Sequence, residues 1–231
     1  MTSSNFLNGK ISVITGASRG IGAALAVQMG GAGAQCILIA RTVGGLEATD
    51  DAIRQAGGPP AALVPLDLIN DIATVNALGA ELSQRSGRLD YPIGHPAQLG
   101  GLSPLNHFVP KTWHETLALN ATANYRLIRS FDMLLHQSKA GRALFMTCAA
   151  ARQAEAFWGA YSASKAALEA MVASYAIEVN NTTVRAACFD PGIAATKLHR
   201  TAFPGIPDDA LPTPAAAARK IMTYLEGWAK G

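Results

Sequence analysis

The chain is short of charge. Only 15% of its 231 residues are Asp, Glu, Lys or Arg, while 49% are hydrophobic. That excludes a disordered chain, which stays unfolded because it has too little apolar surface to bury. The formal net charge is +3, and the charges are scattered. No electrostatic case arises for a nucleic-acid or anionic-membrane partner. Cysteine is scarce as well. Cys36, Cys148 and Cys188 are odd in number, far apart and without a CxxC pair. This argues against a disulfide framework and a structural zinc site, so no metal is expected. Cys36 and Cys188 read as small apolar residues in strands. No apolar run approaches the roughly 18–20 residues of a membrane-spanning helix. Met1 to Lys10 lacks the apolar stretch of a secretory signal, so a cytoplasmic location is expected.

What is present is alternation. Short apolar runs (Ile11–Thr15, Cys36–Ala40, Ala62–Leu66, Leu89–Gly94, Arg142–Thr147, Thr183–Phe189) read as six strands. Between them lie amphipathic stretches at Gly20–Gly31, Gly44–Gln55, Asp71–Arg85, Lys111–Gln137 and Tyr161–Asn180, with a last helix from about Thr213 to Trp228. In the Lys111–Gln137 stretch, Trp113, Leu117, Ala121, Leu127, Phe131 and Leu134 recur at helical spacing. The pattern predicts α/β: a single doubly wound Rossmann-type domain over residues 1–231, with a parallel sheet and helices on both faces. In such a fold ligands bind at the carboxyl ends of the strands.

Three motifs carry chemistry. Thr15-Gly16-Ala17-Ser18-Arg19-Gly20-Ile21-Gly22 begins where the first strand stops and ends inside a helix. Glycines there let backbone approach phosphate oxygens, and the helix start offers free N–H groups. This predicts a pyrophosphate cradle. After the second strand, where an NAD-selective fold carries Asp or Glu, stand Ala40 and Arg41. Arg41 and Arg19 together suit a 2′-phosphate, so NADP(H) is expected over NAD(H); two solvated surface arginines are the alternative. Third, Tyr161 and Lys165 are four residues apart on a helix and share a face. A nearby ammonium lowers a phenol's pKa, which would make Tyr161 a usable acid–base.

These residues resemble the short-chain dehydrogenase/reductase family over most of the chain. The matching positions are the turn Thr15–Gly22, Asp67, Asn120, Tyr161 with Lys165, and Pro191-Gly192 with Thr196. The resemblance implies that Asp67, with Leu68 beside it, lies at the adenine. It implies that Asn120 anchors a water in a proton relay and that Tyr161 protonates the substrate oxygen. Lys165 would grip the nicotinamide ribose, and Pro191, Gly192 and Thr196 would lie along the nicotinamide and its phosphate. It also implies a homodimer built on the helices near 111–137 and 160–180.

The chain departs from the family pattern in three places. Cys148 stands 13 residues before Tyr161, where the family has a serine that bonds the substrate oxygen. A thiol is a weaker donor. Thr147 is a poor substitute, since on a strand it points to the other face. With no histidine partner visible in sequence, Cys148 does not read as a nucleophile. Gly94-His95-Pro96-Ala97 replaces the family's Asn-Ala-Gly, and Pro92 falls inside the fourth strand. That strand is expected to be distorted or to end early. His95 reads as structural. No seventh strand follows the last helix.

The leading expectation is an NADP(H)-dependent oxidoreductase acting on a carbonyl or secondary alcohol, with Tyr161, Lys165, Asn120 and Cys148 at the reacting centre. The alternative is a dinucleotide-binding protein with little turnover, serving as a regulatory or assembly partner. A loop at about 193–213 is expected to cover the substrate. Its Leu198, Phe203, Ile206 and Leu211, together with Phe157 and Trp158, suit an apolar or ring-bearing molecule, or simply pack the loop onto the domain.

Overall fold

Four to six apolar residues cannot bury themselves as an isolated strand. They pair into a sheet whose two faces need cover, and the intervening helices supply it. The computed structural model describes residues 5–230; the expected single domain also includes residues 1–4 and 231, which lie outside the described part. Strands β1 (Ile11–Thr15), β2 (Gln35–Ala40), β3 (Ala62–Pro65), β4 (Tyr91–Gly94), β5 (Arg142–Met146) and β6 (Arg185–Phe189) form one sheet in the order β3-β2-β1-β4-β5-β6. Every pairing is parallel. The helices are α1 (Gly20–Gly31), α2 (Val43–Gln55), α3 (Ile72–Ser86), α4 (Pro110–Leu117), α5 (Ala123–His136), α6 (Gly159–Glu178), α7 (Lys197–Ala202) and α8 (Pro214–Lys230). This is a Rossmann-like α/β domain. No seventh strand occurs among the described residues.

Alternation along each strand assigns the two faces. Ile14, Leu38, Leu144 and Met146 join Leu25 and Met29 of α1 and Ile221 and Leu225 of α8. Val13, Ile37 and Ile39 turn the other way, onto Val75 and Leu78 of α3 and Leu127 and Phe131 of α5. Ala143 and Phe145 extend that second face to Leu168 and Val172 of α6. Cys36 is buried and Cys188 half-buried, and burial pushes both thiols up to about 12.

From β1 the chain winds outward to β2 and β3, then returns to the other side of β1 for β4. The crevice of such a sheet opens where the winding reverses, at the carboxyl ends of β1 and β4. The expected weakness of β4 is real but local. It begins at Tyr91 rather than Leu89, and its ladder to β5 contains only Ile93–Leu144 and Gly94–Phe145. Pro92 nonetheless sits centrally, opposite Val13. Side chains carry what the ladder lacks. The Ser12 hydroxyl donates to the Tyr91 carbonyl at 2.8 Å. Buried Asp90 accepts from the Ile11 N–H and the Ser138 hydroxyl. Thr15 Oγ1 accepts from the His95 N–H at 2.9 Å and donates to the Ile93 carbonyl.

The long helix expected over Lys111–Gln137 is interrupted. Residues Ala118–Thr122 form a π turn between α4 and α5, with one extra residue inserted around Asn120. Apolar periodicity runs through this turn undisturbed, so sequence spacing did not reveal it. The 193–213 segment also holds more structure than a loop: helix α7 and a 3₁₀ turn at Asp208–Ala210. No helix among the described residues is long and apolar enough to cross a membrane.

Candidate active site

A cleft of about 790 Å³ runs across the carboxyl ends of β1, β4, β5 and β6, within the usual size of small-molecule sites. Gly16, Ser18, Arg19, Gly20, Ile21, Arg41, Asp67 and Leu68 line it around the glycine turn, with Thr196 against Gly20, and Cys148, Tyr161, Lys165, Pro191 and Gly192 line the rest. Two expected residues do not line it. Gly22 lies beneath the turn, where a Cβ would stand 2.4 Å from the Gly16 carbonyl oxygen. Asn120 is fully buried behind the wall.

The glycine end is built from backbone. Gly16 has φ +67, and a Cβ there would meet the His95 carbonyl oxygen at 2.8 Å. The following start of α1 has no side-chain cap and no acidic residue in its first turn. Its free N–H groups and positive dipole end are therefore available to an anion. Arg19 and Arg41 are exposed beside it. Asp67 is partly committed to its own loop: its carboxylate accepts from the Ile69 and Asn70 N–H groups and from the Asn70 amide. Burial works to raise its pKa, but these bonds and the Arg41 charge together hold it below the usual value.

The other end is built from side chains. Tyr161 and Lys165 share a face of α6, and the Lys165 ammonium lies 5.9 Å from the Tyr161 ring centroid. Its Nζ donates to the Met146 carbonyl at 2.9 Å. The expected lowering of the phenol pKa is not seen. Burial pushes Tyr161 well above its ordinary value, and Cys148, packed beside it, and Asp190 push the same way. Burial outweighs an ammonium that is itself buried, with its pKa lowered by desolvation. The Cys148 thiol thus stands at the phenol, where the sequence placed it. Thr147 cannot replace it, because its hydroxyl donates to Glu169 at 2.6 Å.

Asn120 acts as a clamp. Its amide nitrogen donates to the Gln98 carbonyl and the Ser164 hydroxyl, and its oxygen accepts from the Gln98 N–H, all at 2.9 Å. Ser164 in turn donates to the Tyr161 carbonyl at 2.7 Å. The π turn aims Asn120 at both partners, so its side chain is spent on holding the cleft floor. The Asn120 carbonyl accepts from Asn124. His95 is half-buried in that floor, its Nδ1 3.4 Å from where a Gly16 Cβ would stand. Burial, with the Lys165 charge, lowers its pKa to about 4, so the ring is neutral at pH 7.

Sequence reasoning singled out Thr15 for the turn alone and missed Gln98 and Ser164; the work of all three is hydrogen bonding across distant segments. It also missed His199 of α7, which is buried, lines the cleft and has an unpaired Nδ1. Ser164 alone left a signal, one turn after Tyr161 and next to Lys165.

The family profile described as short chain dehydrogenase matches residues 10–206. The chain belongs to the short-chain dehydrogenase family. Among curated relatives, the oxidoreductase YciK of Escherichia coli K12 is 32% identical, covering 91% of this chain and 84% of the relative. The benzil reductase ((S)-benzoin forming) IRC24 of Saccharomyces cerevisiae is 30% identical, over 94% and 83%. A short chain dehydrogenase of Escherichia coli CFT073, solved in complex with NADPH, aligns with TM-score 0.90 at 30% identity, covering 98% of this chain and 93% of that one. One from Shigella flexneri 2a, complexed with NADP, aligns with TM-score 0.87 at 32% identity, over 91% and 88%. The residues of this short-chain dehydrogenase fit a dinucleotide. The turn is packed so that a Cβ at Gly16 or Gly22 would intrude, the α1 N-terminus is uncapped, and two guanidinium groups flank it.

Proposed function

We propose that the protein is an NADP(H)-dependent oxidoreductase that interconverts a carbonyl and a secondary alcohol, with Tyr161 as the acid–base. The observation that carries this reading is the Tyr161–Lys165 pair in the same cleft as the uncapped glycine turn. Bound nicotinamide supplies or takes the hydride. Gly16, Ser18, Gly20 and Ile21 hold its phosphates, Arg19 and Arg41 the 2′-phosphate, and Asp67 and Leu68 border the adenine. Gly22 keeps the turn tight from below. Lys165 grips the ribose, while Pro191, Gly192 and Thr196 border the nicotinamide. Tyr161 gives its phenolic proton to the substrate oxygen in reduction. Cys148 is the second, weaker donor at that oxygen. The relative named as a benzil reductase supports a carbonyl substrate.

The proposal includes a substrate-covering segment at about 193–213, a cytoplasmic location, and a homodimer through α4–α5 and α6. Tyr125, Met133 and Ile177, exposed by 49%, 70% and 71%, support the dimer; a stable monomer at micromolar concentration overturns it. The deciding experiment titrates the protein with NADPH and NADH, following nicotinamide fluorescence. Saturable binding with NADPH clearly tighter is the expected result. Failure to bind either overturns the reading. A second reading, dinucleotide binding with little turnover, draws on Cys148 at the phenol and on His95-Pro96 in the cleft floor.

A further inference from the structure

The substrate side of the cleft is walled by rings in succession. Trp158 meets Tyr161 edge-on, with centroids 5.8 Å apart. Phe203 lies tilted against Trp158 at 5.6 Å, and His199 against Phe203 at 5.0 Å. All four residues line the cleft. Rings of this kind recognise planar aromatic ligands by offset or edge contacts.

His199 is the anomaly in this wall. Only 8% of it is exposed, its backbone is satisfied within α7, and yet its Nδ1 is buried with no partner. Folded chains avoid such atoms, and a bare buried N–H is rarer than a bare buried acceptor. The proton therefore belongs on Nε2, which makes no bond within the chain and is the polar edge left to the cleft. The ring is a donor in a wall of aromatic rings, with no hydrogen-bond partner among the described residues.

We propose that His199, with Trp158 and Phe203, forms a second recognition point for the substrate: an aryl ketone or aldehyde carrying a hydrogen-bond acceptor across the ring from its reacting carbonyl. This rests on the oxidoreductase reading and adds the substrate class to it. The carbonyl meets Tyr161, the ring lies along Trp158 and Phe203, and the far acceptor takes the Nε2 hydrogen bond.

The test uses two ketones of similar size, 4-acetylbenzamide, which has the far acceptor, and 4-ethylacetophenone, which lacks it. The wild type is expected to show a KM about ten-fold lower for the amide, the worth of one buried hydrogen bond. His199→Phe should erase that ratio through KM rather than kcat, and His199→Gln should restore part of it. Comparing the ratio across variants cancels the intrinsic reactivity of the ketones. Quenching of tryptophan fluorescence by each ketone reads binding without turnover, and its loss in Trp158→Phe ties the signal to the wall. An unchanged ratio in a folded His199→Phe, no wild-type preference, or no quenching overturns the proposal. If His199→Phe does not fold, the wild-type ratio and His199→Gln decide. NADPH fluorescence is followed separately. Loss of NADPH binding sinks the oxidoreductase reading, whereas loss of ketone discrimination alone sinks this one.

Discussion

The two ends of the cleft are made of different materials. At the glycine end the working groups are backbone N–H groups, held so close that a single Cβ at Gly22 would stand 2.4 Å from a carbonyl oxygen. At the reaction end they are side chains: Tyr161, Lys165, Cys148, His95 and His199. The glycine turn itself keeps the family pattern, while Cys148 departs from it beside Tyr161 and His95-Pro96 departs in the floor under Gly16. Packing explains the difference. A backbone cradle permits no substitution without rebuilding the turn, whereas a side chain can be exchanged for another of similar size at the cost of one hydrogen bond. Ligand binding and chemical rate should therefore be separable by mutation, with the rate the more changeable of the two.

The largest expected effect tests that separation directly. Tyr161→Phe removes the proton donor and should lower kcat by roughly 10³-fold, with NADPH affinity changed by less than about three-fold. A matching loss of affinity would break the comparison. Cys148→Ser should come next. A hydroxyl in place of the thiol at the phenol should raise kcat by about 10²-fold if the protein is a slowed enzyme; no turnover with a broad carbonyl panel would favour the binding-only reading. Third is the pH dependence of stability. His95 titrates at about 4 in the fold against 6.5 when free. The unfolded chain takes up the proton first, so stability is lost as pH falls from about 6.5 towards 4 and levels off below. The loss should reach about 3 kcal/mol, and His95→Gln should flatten it in urea melts at stepped pH. The smallest effect belongs to the glycine end. Arg41→Ala should weaken NADPH about ten-fold and leave NADH unchanged. Equal weakening of both would remove the 2′-phosphate argument.

Much of this was legible in the sequence where a residue type and a spacing act together. The strand–turn–helix from Ile11 to Gly31 follows from apolar alternation and glycines, and the pairing of Tyr161 with Lys165 from helical geometry. What stayed hidden depends on distant partners. Asn120 could be singled out, but not the π turn that aims it at Gln98 and Ser164. Pro92 argued against a central strand, and the bonds from Ser12 and Thr15 that allow one there join residues 79 and 78 positions apart. The phenol was misjudged because spacing shows a neighbouring charge but not burial, and here burial is the larger influence. His199 left no mark, since nothing local tells a cleft-lining histidine from a solvated one.

The Asn120 clamp has a mechanical consequence. Two hydrogen bonds of 2.9 Å pin Gln98 to Asn120, and a third of the same length ties Asn120 to Ser164 of α6, so the floor of the cleft cannot swing independently of the helix bearing Tyr161. On the opposite bank, the stretch from Pro204 to Ala210 is exposed throughout and held by short local turns and the Arg200–Asp208 ion pair. Deuterium should thus replace the Gln98 amide hydrogen slowly, although it lies in a loop, and replace those of residues 205–210 fast. The cleft is thus bordered by one pinned lip and one held by local contacts alone.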